Sequence, residues 1–140
     1  MQITMEADYA VRIVYALAAN GERMDAGMLA ERSGVTVRFS LKILRKLVAA
    51  GLVRSFKGAA GGYQLAKEPE EISLCDVLEA IEGPIHIARC AKGDYVCTRE
   101  KEGPCQFQCV FESLSQQLRA RLGSYTMDQF IAKQERENQQ

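Results

Sequence analysis

A mainly α-helical fold carrying one small β-hairpin is predicted by three observations. Apolar residues recur at helical spacing over most of the chain, helix-start residues stand just ahead of several of these segments, and one Gly-rich stretch separates two short strand-like runs. The chain has 140 residues, 47% hydrophobic and 26% charged, with 11 Gly and 3 Pro. That is one domain's worth of chain, with room for a small appendage, and it can bury enough surface to fold without disulfides. Met1-Gln2-Ile3-Thr4 runs straight into Glu6 and Asp8, unlike a signal peptide. No apolar run approaches the ~20 residues of a spanning helix. A cytoplasmic protein with no membrane partner is expected.

The first helix is predicted over Met5 to Asn20, with Val11, Val14, Tyr15 and Ala18 on its apolar stripe and Asn20-Gly21 as its end. A second, short helix runs from about Asp25, a good N-cap, to Ser33, with Met28 and Leu29 facing inward. Ser33-Gly34-Val35 makes a tight turn, and Thr36 caps a third helix that reaches Ala50 and stops at Gly51. Two strand-like runs follow, Leu52–Phe56 and Tyr63–Ala66, joined by Lys57-Gly58-Ala59-Ala60-Gly61-Gly62. The small residues there suit a hairpin tip whose backbone approaches something closely. Helix, short helix, turn, helix and hairpin is the order of a winged helix-turn-helix.

Ser73 and Asp76 have capping-box spacing and open a fourth helix that ends at Gly83-Pro84. Residues 85–104 have no sustained periodicity and read as loop. From about Cys105 to Ser124 a longer helix resumes, with Phe107, Phe111, Leu114, Leu118, Leu122 and Tyr125 in one apolar stripe. Thr126 with Gln129 reads as a second capping box, starting a short last helix that frays into a polar tail.

The formal net charge of zero conceals a division. Residues 1–68 carry ten Lys/Arg and six Asp/Glu, the remainder eight and twelve, and between Arg32 and Lys57 seven basic residues occur with no acid. A polyanion partner for the first half is indicated. On a helical wheel, Leu41, Leu44, Leu47 and Val48 of the third helix cluster on one side. Arg38, Lys42 and Arg45 lie nearly opposite, with Lys46 flanking them. A basic amphipathic helix alone is most often just a solvated face. Preceded by a short helix and followed by a Gly-rich hairpin, it reads as a recognition helix for double-stranded DNA. Arg and Lys would meet phosphates or guanine edges, while Thr36, Phe39 and Ser40 near its start would reach bases. Lys57, Gly58, Gly61, Gly62 and Tyr63 then form a wing over the backbone or minor groove. So small a footprint calls for two copies on a two-fold site.

Four of five cysteines fall in Cys90-x6-Cys97-x7-Cys105-x3-Cys109. In a chain without export signals, such clustering argues for metal or redox chemistry over structural disulfides. Zinc modules favour tighter pairs. Wide spacing across a loop that ends at a helix start suits an iron–sulfur cluster, with zinc, a thiol switch and inert thiols as alternatives. Cys75, among Leu74, Val77, Leu78 and Ile81, reads as a buried structural thiol. His86, the single histidine, is either a loop residue or a further ligand. Asp8 suits a helix N-terminal carboxylate.

These pieces together resemble the IscR- and NsrR-type bacterial regulators of the Rrf2 family over about residues 1–130. The resemblance rests on Asp8-Tyr9-Ala10-Val11-Arg12, Leu29-Ala30-Glu31, Leu41 to Leu47, Gly51-Leu52-Val53, Gly58-x-x-Gly61-Gly62-Tyr63-x-Leu65 and the Cys90, Cys97, Cys105 trio. It implies a homodimer held by the long helix, with Cys90, Cys97 and Cys105 ligating a [2Fe–2S] or [4Fe–4S] cluster whose occupancy changes operator affinity. In such regulators the fourth ligand is a histidine shortly after the third cysteine or an acidic residue of the partner's first helix. Here Gln108 stands where that histidine would be, and Cys109 follows. Cys109, or alternatively the partner subunit's Asp8, would complete the set. The wing departs too, with Lys57 for the usual Arg and Ala59-Ala60 where a basic residue is often found.

The expectation is a transcription regulator, a repressor on a pseudo-palindromic operator, with no catalytic activity and no small-molecule substrate. Residues 1–68 would bind DNA, 69–104 supply a linking helix and the cysteine loop, and 105–140 the dimerisation helix and the last short helix. A zinc- or thiol-switch regulator, or an iron–sulfur electron-transfer protein, are the rivals. No Ser/His/Asp set, phosphate loop or paired catalytic carboxylates suggests an enzyme.

Overall fold

The computed structural model describes residues 2–99 and 103–140. Its elements in chain order are α1 (Met5–Asn20), α2 (Ala26–Ser33), α3 (Val37–Ala49), β1 (Val53–Phe56), β2 (Gly62–Leu65), α4 (Leu74–Glu82), α5 (Gln106–Gly123) and α6 (Met127–Asn138). Short 3₁₀ turns at Pro69–Glu71 and Arg89–Ala91 interrupt the connections. The fold is mainly helical with one two-stranded antiparallel hairpin, as the sequence predicts.

Local chemistry fixes the helix starts. The Asp25 carboxylate accepts from the Met28 N–H at 2.8 Å, and the Thr36 hydroxyl from the Phe39 N–H at 3.2 Å. The Ser73 hydroxyl accepts from the Asp76 N–H while the Asp76 carboxylate accepts from the Ser73 N–H, a reciprocal capping box. Between α2 and α3, Gly34 takes φ of 71° and donates its N–H to Glu31. This left-handed turn, which glycine adopts without strain, sets the second and third helices at their helix-turn-helix angle. Thr126 and Gln129 differ from the expected capping box. The Gln129 amide donates to the Thr126 hydroxyl at 3.0 Å and to the Ser124 carbonyl at 3.1 Å, but the hydroxyl caps no backbone N–H.

α1 is the central helix. Its Ala10, Ile13, Val14 and Leu17 meet Leu29 of α2, Ile43, Leu44 and Leu47 of α3, and Ile72 and Val77 around α4. Alanines on α1 let neighbouring helices approach closely. α6 returns to this same core: Met127 is 1% exposed, and Phe130 and Ile131 pack beside it. The return is pinned by the Leu74 N–H donating to Tyr125 and the Met127 N–H donating to Ile72. Two inward expectations are corrected. Met28 is 43% exposed while Leu29 is fully buried, because an eight-residue helix offers the core only a narrow stripe. Cys75 is half-buried rather than buried, since it sits beside the polar seam between α4 and α5.

The hairpin pairs Val53 with Leu65 and Phe56 with Gly62. β2 also bridges to the α1–α2 connection, where Met24 and Tyr63 exchange N–H···O bonds of 2.9 and 2.8 Å. Gly62 has φ of 138°, and a Cβ there would stand 2.7 Å from the Met24 carbonyl oxygen. A Cβ on Gly61 would meet the Phe56 carbonyl oxygen at 2.6 Å. The close approach expected of these glycines is therefore made to the chain's own backbone.

α5 stands apart from the core. Ser115 is its one fully buried residue, and Phe107, Val110 and Leu114 are 60%, 55% and 43% exposed. Phe111, Leu118 and Leu122 of the expected stripe are half-buried. No helix among the described residues is long and apolar enough to cross a membrane.

Candidate functional site

α3 places its core face on Ser40, Ile43, Leu44 and Leu47, at the i, i+3, i+4, i+7 spacing of a packed stripe. Ser40 is 0% exposed. It therefore packs inward and does not reach outward to bases as expected. The small side chain fits where α3 meets its neighbours, and its hydroxyl disguised the position as a surface one. Arg38, Lys42 and Arg45 remain exposed. Together with Thr36 and Phe39 they line a shallow cleft of about 370 Å³. Phe39 is half-buried, edge-to-face against Tyr9 at 5.7 Å between centroids, so one side braces α3 against α1.

α1 supplies a residue the sequence reading missed. Glu6 accepts ion pairs from Lys46 at 2.7 Å and Lys42 at 3.5 Å. The Lys46 hydrogen bond, with burial opposing it and the charges of Lys46 and Lys42 reinforcing it, holds the Glu6 carboxyl below its ordinary 4.5. Part of the expected cationic face is thus neutralised within the chain. Arg38 and Arg45 carry no such partner among the described residues.

In the wing, Lys57 and Gly58 are exposed, and Gly61, Gly62 and Tyr63 are half-buried. Arg23, from the turn after α1, lays its guanidinium over the Phe56 ring at 3.5 Å and donates to the Ala60 carbonyl at 3.1 Å. It was not singled out from sequence, because its partners lie more than thirty residues away.

Cys90, Cys97 and Cys105 line one cavity of about 310 Å³, shared with Tyr95, Arg99, Phe107, Gln108 and Phe111. Cys105 is the N-cap of α5. Cys109 is exposed, one turn into α5, and His86 and Asp8 also lie outside this lining. Asp8 is held in its own chain by Arg12 at 2.6 Å. Soft sulfur donors and a cation at Arg99 suit a thiolate-held iron–sulfur group. Among the described residues, though, no three His, Cys, Asp or Glu side chains are gathered closely enough to hold a metal ion. The cavity thus brings Cys90, Cys97 and Cys105 to one lining, without a closed ligand geometry among the described residues. Of the expected loop 85–104, residues 100–102 lie outside the described residues.

The base of the cysteine loop is fixed to the helices on either side. The Ile85 N–H donates to Glu79 at 3.1 Å and the Ile87 N–H to the Ser115 hydroxyl at 2.9 Å. Arg119 donates twice to Glu79, at 2.6 and 3.2 Å. Burial raises the Glu79 pKa, but the Arg119 and Ile85 hydrogen bonds and the Arg119 charge outweigh it and leave it lowered. Burial pushes the nearby Cys75 thiol up, with the Glu79 charge adding to it and Arg119 opposing.

A family profile, Rrf2, described as an iron-dependent transcriptional regulator, matches residues 3–133. A helix-turn-helix-type transcriptional regulator of Mycobacterium tuberculosis is 41% identical over 91 residues, covering 64% of this chain. That match spans 56% of the relative, so a large part of its length has no counterpart in the alignment. IscR of Escherichia coli is 27% identical over 137 residues, covering 96% of this chain and 83% of the relative. Among solved structures, IscR of T. potens superposes with a TM-score of 0.74 at 24% identity, over 95% of this chain and 88% of that one. The oxidised form of CymR from Staphylococcus aureus superposes at 0.69 with 27% identity, over 94% and 96%.

Proposed function

This chain belongs to the Rrf2 family of transcriptional regulators, and from that premise we propose that it is a cytoplasmic, homodimeric repressor whose operator affinity responds to an iron–sulfur cluster. The family is one of regulators, not enzymes. The observation that carries the reading is the single cavity lined by Cys90, Cys97 and Cys105 at the start of α5. These three would hold a [2Fe–2S] or [4Fe–4S] cluster, with Cys109 or the partner subunit's Asp8 as fourth ligand. When bound, the cluster supplies a centre sensitive to oxidation, iron supply or nitric oxide.

The protein's own residues do the rest. Arg38, Lys42 and Arg45, with Thr36 at the head of α3, face the major groove of double-stranded DNA. Lys57 and the backbone of Gly58 contact phosphates from the wing. The exposed Phe107, Val110 and Leu114 of α5 are apolar area a single chain leaves in water, and a second copy would cover it. A pseudo-palindromic operator follows from that two-fold. Because the loop's base is tied to Glu79 and Ser115, a rearrangement of 85–105 would be transmitted to α5 and hence to the spacing of the two DNA-binding units.

Anaerobic reconstitution with iron and sulfide tests the reading. A brown protein with visible charge-transfer absorption is expected, and Cys97→Ala should lose that absorption while staying a folded dimer. Full absorbance in Cys97→Ala would refute the ligand set. A second reading, a thiol switch, draws on the three cysteines that line one cavity and on the likeness to CymR, solved in an oxidised form. It predicts a colourless protein whose DNA affinity changes with mild oxidant and recovers with dithiothreitol.

A further inference from the structure

A further hollow lies away from both the cysteines and the outer face of α3. A groove of about 680 Å³ opens where α1 and α6 pack, next to the end of α2. Tyr15 and Ala16 of α1, Leu74 of α4 and Met127 and Phe130 of α6 give it apolar walls. The size and lining are those of small-molecule sites, which combine mostly apolar walls with a few charged groups. Small side chains at Ala16 and Ala19 leave this space open where bulkier ones would fill it.

Its charged groups are Arg12, Arg32, Lys133 and a single carboxylate, Glu137. Arg12 is committed to Asp8 at 2.6 Å and to the Ser33 carbonyl. Lys133 is 3.9 Å from Glu137, both side chains being well exposed, which makes a weak pair. The Arg32 side chain has no hydrogen-bond or ion-pair partner among the described residues. An unpaired guanidinium beside an apolar groove complements an anion with an apolar body, since its planar fork binds carboxylates two bonds at a time.

We propose that this groove is a binding site for a small amphipathic carboxylate, with Arg32 holding the carboxylate, Lys133 reinforcing it, and Tyr15, Met127 and Phe130 contacting the apolar body. The ligand would touch the second helix of the helix-turn-helix and the helix that follows α5. The site is independent of the cysteine cavity and of the DNA-binding reading.

The test uses the full chain and anilinonaphthalene sulfonate, an anionic fluorescent probe, with decanoate, decanol and decylamine as competitors. Saturable binding of one probe per chain is expected, displaced by decanoate far better than by decylamine. Arg32→Gln should weaken decanoate about tenfold while leaving decanol unchanged. Ala19→Leu, which fills the groove from an exposed position, should abolish the saturable site with an unchanged circular dichroism spectrum. Lack of saturable binding, equal displacement by the amine, or full binding in a folded Ala19→Leu would each overturn the proposal.

Discussion

Replacing Glu6 by Gln removes the carboxylate that α1 sets between two lysines of α3, and the structure gives the size of the result. Lys42 is 59% exposed and 3.5 Å from Glu6, a screened pair worth about 0.5 kcal/mol. Lys46 is 38% exposed and 2.7 Å away, a tighter pair worth about 1 kcal/mol. On DNA, a phosphate must compete with Glu6 for Lys42. Removing the carboxylate spares that competition, and removing its repulsion from the phosphates adds a similar amount at moderate salt. The sum, about 1 kcal/mol, is a roughly fivefold tighter complex. The Lys46 pair mainly joins α1 to α3, so its loss should lower the Tm by about 4 °C. Fluorescence anisotropy with a duplex selected from genomic fragments, repeated at several salt concentrations, reads both affinity and slope. The slope of log K against log salt should steepen by up to about 0.9 for each lysine freed. Unchanged or weaker binding at the same slope would refute the reasoning and make Glu6 a residue that positions the lysines for DNA.

Further outcomes follow from the same geometry. Arg38→Ala or Arg45→Ala should weaken operator binding and cut the salt slope by about 1 each without changing cluster absorbance; intact affinity would remove α3 from the interface. Arg23→Ala loses the stack on Phe56 and the bond to Ala60, and should loosen the wing enough to weaken DNA binding about three- to tenfold, as anisotropy would show. Gly62→Ala places a Cβ against the Met24 carbonyl at a positive φ and should cost about 2 to 4 kcal/mol in urea unfolding. Glu6 and Glu79 both have pKa values lowered from an ordinary 4.5. Their stabilisation is therefore complete above that pH and lost as pH falls through the folded values. Thermal melts of Glu79→Gln should accordingly depend less steeply on pH below about 4.5 than the parent, and equal steepness would remove Glu79 from the acid transition.

What the sequence made legible is what short-range chemistry decides. Asp25, Thr36 and Ser73 stand at helix starts because each satisfies an N–H three residues on, an effect contained in the tetrapeptide. The apolar period of α1 and α3 and the Gly-rich wing are similarly local, and with the cysteine spacing they sufficed for the family. Facing was harder. Ser40 reads as a surface residue by its hydroxyl, yet it lies one turn from Ile43 and Leu44 and is buried with them. The wing glycines were legible as a close approach but not as an approach to Met24, since that contact joins segments far apart in sequence. The same holds for Glu6 with Lys42 and Lys46, for Arg23 with the wing, for Ser115 with Ile87, and for the return of α6 to the core. Each depends on helix packing that no local pattern encodes.

The central claim is that a cationic surface on α3 is governed by iron-bound sulfur at the start of α5. Anaerobic titration of one selected duplex with cluster-loaded and cluster-free protein, at low and moderate salt, examines it directly. The account predicts binding that weakens with salt and differs at least about tenfold between the two forms. Equal affinity in both forms, or none in either with the protein folded, would contradict it.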